Sequence, residues 1–156
     1  MSEAAQFCTF CVDDLLFGVD VTRVQEVIRF QEMTRVPLAP RVVRGLINLR
    51  GQIVMAVDLR ERLGLPPRPD DELPMNVVLR GLDGSVSLLV DSIGDVIDVN
   101  DDAFEVPPST MLAAHRQVID AVCKLPNRLL LVLDPERALL VGSDAQPAPS
   151  EGRSLQ

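Results

Sequence analysis

A chain of 156 residues can bury roughly 70% of the surface its unfolded form exposes, enough for one compact domain or two small barrels sharing an interface. With 15 Lys and Arg against 23 Asp and Glu, the net charge of −8 repels nucleic acid and anionic lipid alike, and no Trp, no Tyr and only 5 Phe are present to stack on bases. No apolar run approaches the ~20 residues of a membrane span and no basic-then-apolar start marks secretion, so a cytosolic protein without direct membrane insertion is expected.

The N-terminal segment predicts strands over 7–12 and 15–20 with a turn at Asp13-Asp14. Cys8 and Cys11 form a C-x2-C, but on a strand positions i and i+3 face opposite sides. Only His115 and Cys123 remain as further ligands, at no zinc-like spacing, so buried packing of the thiols is expected and no metal. An odd count of 3 Cys also argues against a disulfide framework. After Asp20, a helix is predicted to about Phe30, capped by Asp20 and lined by Val21, Val24 and Ile28.

The most informative stretch is GLINLRGQIVMAVDL, Gly45 to Leu59. Ile47 and Leu49 point to one face of a strand, Asn48 and Arg50 to the other. Gly51 supplies the positive φ of a tight reversal, and the return strand from Ile53 to Val57, apolar on both faces, reads as buried. Asp58 then caps a second helix, with Glu61 placed as in a capping box, and Gly64 before Leu65-Pro66-Pro67 ends it. The hairpin thus presents an amide and a guanidinium at its tip with no nucleophile, base or metal ligand beside them. This is the composition of a recognition surface.

A proline-rich connector, Pro66 to Pro74, leads to strands over 76–81 and 85–90 joined at Asp83-Gly84. The acidic run Asp98 to Asp102 imitates a calcium loop, but Ala103 stands at the glycine position and Ser109 at the final glutamate position, so a solvated turn is expected. His115 reads as a surface histidine in an irregular segment, and Ser109-Thr110 after two prolines suits a turn or helix start. Asp134-Pro135 predicts a third helix start. The segment after Val141 has little to bury and reads as a flexible tail, 141–156. No nucleophile elbow, Walker loop, HExxH or dinucleotide turn exists, so no catalytic residue, cofactor or enzyme activity is expected.

The chain also carries a partial duplication. Val19-Asp20 after a strand hairpin is echoed by Val90-Asp91, and IVMAV-Asp58-LRERL by LLLVL-Asp134-PERAL. Two small barrels of short strands follow from this, since closing a sheet on itself removes exposed edges.

Four segments resemble one family in its own order: GVDVTRVQEVI at Gly18 to Ile28, NLRGQI-x4-DL at the hairpin, LLVDSIGDVIDV at Leu88 to Val99, and NRLLLVLDPERAL at Asn127 to Leu139. They are similar to the chemotaxis coupling proteins (CheW) over about residues 7–140. The resemblance implies a mainly β fold of two packed SH3-like five-stranded antiparallel barrels with a few short helices, in a 1–140 domain whose halves cover roughly 7–65 and 75–140, their intertwining left open. It implies a non-catalytic adaptor in the cytoplasm, at receptor arrays on the inner face of the membrane. There it would couple the cytoplasmic tips of chemoreceptors to the regulatory domain of a histidine kinase (CheA), through two distinct faces. By position in the motifs, the receptor face would include Val24 and Gln25 on the first helix, Gly45, Asn48 and Arg50 at the hairpin, and Val77 and Val96 in the second half. For Val24, Val77 and Val96 core packing is the alternative, and for Arg50 a local carboxylate. Met55 and Ser87 depart from the family's usual proline and glycine, both near expected interfaces. A scaffold of a non-chemotactic pathway, or a detached kinase regulatory module, would use the same fold.

Overall fold

Short runs of β-branched and aliphatic residues, punctuated by Asp, Gly and Pro, fold as eleven strands and three short helices in the computed structural model, which describes residues 4–81 and 84–140. The tail expected at 141–156, and Asp83 of the second expected turn, lie outside the described residues. β1 (Ala4–Val12) and β2 (Leu15–Asp20) form the first hairpin, turning at Asp13 with φ 56°. Within it Phe10 pairs with Phe17, their rings stacked at 5.8 Å, and neither side chain reaches solvent. β3 (Val24–Ile28), β4 (Val43–Leu49), β5 (Gln52–Asp58), α1 (Leu59–Leu63), β6 (Met75–Gly81) and β7 (Gly84–Val90) follow. β8 (Ser92–Asn100), β9 (Phe104–Glu105), α2 (Ala113–Arg116), β10 (Ile119–Lys124), β11 (Leu129–Leu133) and α3 (Pro135–Ala138) complete the chain.

The strands make two SH3-like sheets, one of six strands in the order β8-β1-β2-β11-β10-β9 and one of five in the order β3-β6-β7-β5-β4. Each contains one parallel pair, β2 with β11 and β5 with β7. A parallel pair needs a long crossover, which a hairpin cannot supply. Each sheet accordingly takes strands from both sides of the proline-rich connector. The first hairpin, β1-β2, sends its next strand, β3, to the other sheet, and the hairpin β6-β7 sends β8 back. The duplication in the sequence is visible in this exchange: β5 and β11 hold equivalent places. The Asp58 amide donates to Val42 O at 2.7 Å and the Asp134 amide to Val118 O at 2.8 Å, at matching corners. One apolar core spans both sheets, from Phe10, Phe17 and Val19 to Val57, Leu79, Leu88 and Leu133.

The helix expected from Asp20 to Phe30 does not form. Asp20 does cap, its carboxylate accepting the Thr22 amide at 2.9 Å, but only a single 3-10 turn over Val21–Arg23. The chain then runs extended as β3 and pairs with β6. Val21, Thr22, Val24, Val27 and Ile28 are β-branched and stiff at χ1, which favours the pleated surface that β6 offers. Within the return strand β5, Val54, Ala56 and Val57 are buried as expected, but Met55 is only half-buried and Ile53 is 65% exposed. His115 stands half-buried in α2 rather than in an irregular segment.

Helix α1 is capped by Asp58, which accepts the Arg60 amide at 3.0 Å, and ends at Gly64 with φ 72°. Glu61 does not close a capping box; it lies 3.6 Å from Arg41, and the Asp58 amide is engaged with Val42. Asp58 does more than cap. It is 3% exposed and also pairs with Arg44 at 3.2 Å and Arg68 at 3.8 Å. Asp58→Ala should therefore cost about 2 kcal/mol, the upper end for a lost N-cap. A urea melt checks this, and a midpoint unchanged within error would show that the cap carries no stability.

Where the chain crosses from β7 to β8, Asp91 gathers three segments. Arg60 grips it with a fork, Nε at 3.0 Å and Nη2 at 2.7 Å, and Arg68 of the connector adds Nε at 2.8 Å. The Asp13 amide of the first turn donates to it at 2.7 Å. Burial alone would raise the Asp91 pKa. The hydrogen bonds from Arg60, the Asp13 amide and Arg68, with the charge of Arg68, outweigh burial and lower it to about 2. The proline-rich connector is thus fastened to the barrel junction.

Candidate functional site

The hairpin tip is a two-residue turn in which Arg50 (φ 54°) and Gly51 (φ 84°) are both left-handed. Such a turn matches the twist of its flanking strands, and glycine takes this backbone at no cost while arginine does not. The Asn48 side-chain oxygen Oδ1 accepts the Gly51 amide at 3.0 Å, so the side chain expected at the surface is engaged with the turn itself. Arg50 reaches across to β3 instead, its Nη1 2.7 Å from Glu26 Oε2. Its side chain remains 75% exposed while that of Glu26 is 14% exposed. The guanidinium is held by a local carboxylate and still offers most of its fork to solvent.

Beside it, β3 is fixed residue by residue. Gln25 Oε1 accepts Ser85 Oγ at 2.5 Å, and the Val24 carbonyl accepts Arg80 Nη1 at 3.0 Å. Arg23 joins Arg80 O at 2.7 Å to Glu136 of α3 at 2.5 Å. A groove of about 460 Å³ opens next to the tip, lined by Leu46, Ile53, Met55, Val86, Leu139 and Leu140. Ile53 is the cross-strand partner of Asn48, and Met55 that of Leu46, which sets these side chains on the Asn48 face. Ile53 at 65% and Leu140 at 48% are large apolar groups left in water.

The structure therefore brings Gln25, Asn48 and Arg50 to one end of the five-stranded sheet, with Val24 half-buried behind them. Gly45 is on β4 with Asn48, where its lack of a side chain lets Thr34 hydrogen-bond Leu46 in both directions at 2.8 Å. Val77 is not at a surface. It is fully buried in the shared core between β3 and β7, so it can support a face but touch no partner. Val96, 53% exposed, stands on β8 of the other sheet opposite Cys8. Ser87 is likewise interior, donating to Asn76 Oδ1 at 2.7 Å, while Met55 does line the groove. Ile53, Leu46 and Val86 escaped the sequence reading, because an apolar strand carries no mark of which alternate residues stay uncovered.

Other candidates separate in space. Cys8 and Cys123 are buried, and burial pushes both thiols up, with Glu105 adding to the effect at Cys123. Cys11 is half-buried. Asp98, Asp101 and Asp102 are exposed at the end of β8 and in the 3-10 turn Asp101–Ala103. Among the described residues no group of His, Cys, Asp and Glu is placed to hold a metal ion, and no helix is long and apolar enough to cross a membrane.

The chain is 30% identical over 142 residues to the chemotaxis protein CheW of Bacillus subtilis, covering 91% of each. It is 29% identical over 136 residues to the chemotaxis protein CheW of Treponema pallidum, covering 85% of this chain and 80% of that one. The crystal structure of the scaffolding protein TtCheW from Thermoanaerobacter tengcongensis superposes with a TM-score of 0.81 at 23% identity, over 93% of this chain and 99% of that one. The CheW-like domain family matches residues 6–141. With that span covering all of the strands and helices described above but the first two residues of β1, the chain belongs to the CheW-like domain family.

Proposed function

We propose that this protein is a non-catalytic adaptor that couples the cytoplasmic tips of chemoreceptors to a chemotaxis histidine kinase (CheA). It works in the cytoplasm, at receptor arrays on the inner face of the membrane. The observation that carries this reading is the Arg50 tip beside an open apolar groove, on a chain matched by the CheW-like family along nearly its whole described length. An apolar groove edged by a polar anchor suits a helix laid into it, as the hairpin of a receptor tip would be. Ile53, Met55 and Val86 would take the apolar side of that helix, and Arg50 and Gln25 its polar edge. The kinase's regulatory domain would meet a separate face at the other barrel, where Val106 is 85% and Leu112 66% exposed. Neither contact asks for chemistry: the two sheets share one core, so the body is rigid and binding energy goes into fixing the geometry between partners.

Arg50→Ala separates the roles. Removing it leaves Glu26, itself mostly covered, without its partner, at a cost of about 1 kcal/mol, the upper end for an ion pair open to solvent on the arginine side. Receptor-tip binding should weaken about tenfold, or ~1.4 kcal/mol, while binding of the kinase regulatory domain should hold. Calorimetry with each partner, with and without a chelator, together with a melt of the variant, checks this. Equal loss of both partners would deny two faces, and kinase binding lost on chelation would overturn the metal-free contact.

A further inference from the structure

A cleft larger than the groove beside the Arg50 tip opens elsewhere. It lies in the connection between β3 and β4, about 870 Å³, with Phe30, Met33, Arg35, Val36, Leu38 and Arg41 among its lining. Its charge runs against that of the chain. Residues 29–44 carry Arg29, Arg35, Arg41 and Arg44 against Glu32 alone, in a protein of net charge −8. Arg44 is committed to Asp58. Arg41 has only a long 3.6 Å approach to Glu61 with its side chain 90% exposed, and among the described residues the Arg35 side chain has no ion pair or hydrogen bond. Between them Leu38 is fully exposed, and its φ of 65° is a backbone that leucine avoids. A leucine held in a strained conformation entirely in water stabilises nothing within its own fold, and such outliers cluster at binding segments.

We propose that residues 35–41 form a docking site, distinct from the Arg50 face, for an acidic polypeptide segment that carries an apolar side chain. Arg35 and Arg41 take its carboxylates, the guanidinium fork being shaped for them. Leu38 and Val36 pack against its apolar residue, over the floor made by Phe30 and Met33. The opposed charges fix the choice of occupant: a basic island in an acidic surface attracts a short acidic segment, whereas an extended polyanion such as a nucleic acid or an anionic bilayer would meet the repulsive remainder of the molecule. An incoming carboxylate replaces the loose Glu61 contact of Arg41, so little is lost on binding.

The test is selection from a random dodecapeptide phage library on the immobilised full-length chain, repeated on an Arg35→Ala/Arg41→Ala double variant whose melt is checked against the parent. Enrichment of sequences in which Asp or Glu flank an apolar residue is expected. Synthetic peptides from that pool should bind the double variant at least about tenfold more weakly, lose affinity with added salt, and bind Leu38→Ser several-fold more weakly. A pool without acidic bias, or the same acidic pool recovered on the double variant, would overturn the proposal. So would retention of the chain on phosphatidylglycerol vesicles or a labelled oligonucleotide that depends on Arg35 and Arg41 while acidic peptides bind no better than their Gln counterparts.

Discussion

Asp91→Ala should lower the stability of this protein by about 3 kcal/mol, the cost expected when one partner of a largely buried ion cluster is removed and the others remain. Arg60 and Arg68, whose side chains are 10% and 8% exposed, would keep their charges in the barrel junction with the longer carboxylate contacts to Asp13 (3.9 Å from Arg60) and Asp58 (3.8 Å from Arg68), and the Asp13 amide would lose its acceptor. The pH dependence gives an independent reading. The Asp91 pKa of about 2 in the folded protein lies below its usual 3.8, so its contribution is fully present above pH 4 and is lost as pH falls toward 2. At 1.36 kcal/mol per unit this amounts to about 2 kcal/mol. Denaturant melts at neutral pH and between pH 4 and 2, on the parent and on Asp91→Asn, check both numbers. The parent should lose more than the variant across that window; parallel curves would remove Asp91 from the cluster's energetics.

Gly45→Ala should cost about as much, roughly 3 kcal/mol, without touching a charge. A β-carbon there would stand 2.7 Å from the Thr34 carbonyl oxygen and 2.9 Å from Met33 Cβ. Overpacking a closed site costs 1–3 kcal/mol, and moving Thr34 away forfeits its two hydrogen bonds to Leu46, each worth about 1 kcal/mol. Because the displaced segment leads into the Arg35–Arg41 loop, hydrogen exchange at Leu46 and Thr34 should quicken in the variant. A melt within 1 kcal/mol of the parent would mean that the strand yields without breaking these bonds.

Features settled by neighbours in the chain are legible in the sequence. Asp58, Gly64 and Asp134-Pro135 mark helix ends because a cap is settled within a few residues of chain, and all three act as expected. Arg50-Gly51 marks a reversal for the same reason. Features decided by a partner from far along the chain are not legible in this way. Val21 to Ile28 has a helical spacing of apolar residues, yet β6, about fifty residues on, offers an edge that β-branched side chains fill better. Val77 and Ser87 sit in strands with four consecutive buried residues each, Asn76 to Leu79 and Ser87 to Val90, and that both faces are covered there depends on elements from elsewhere in the chain.

By itself the sequence determined the strand-rich class, the caps, the hairpin tip, the duplication and, through its motifs, the family, since each rests on residue chemistry or on neighbours in the chain. Only the tertiary structure decided the exchange of β3 and β8 between sheets, the pairing of Arg50 with Glu26, the gathering of Arg60, Arg68 and the Asp13 amide on Asp91, and the exposure of Ile53 and Leu38. Each of these joins or uncovers groups brought together across the chain, and contact at such separation is set by how two curved sheets close on one core, which no local pattern encodes.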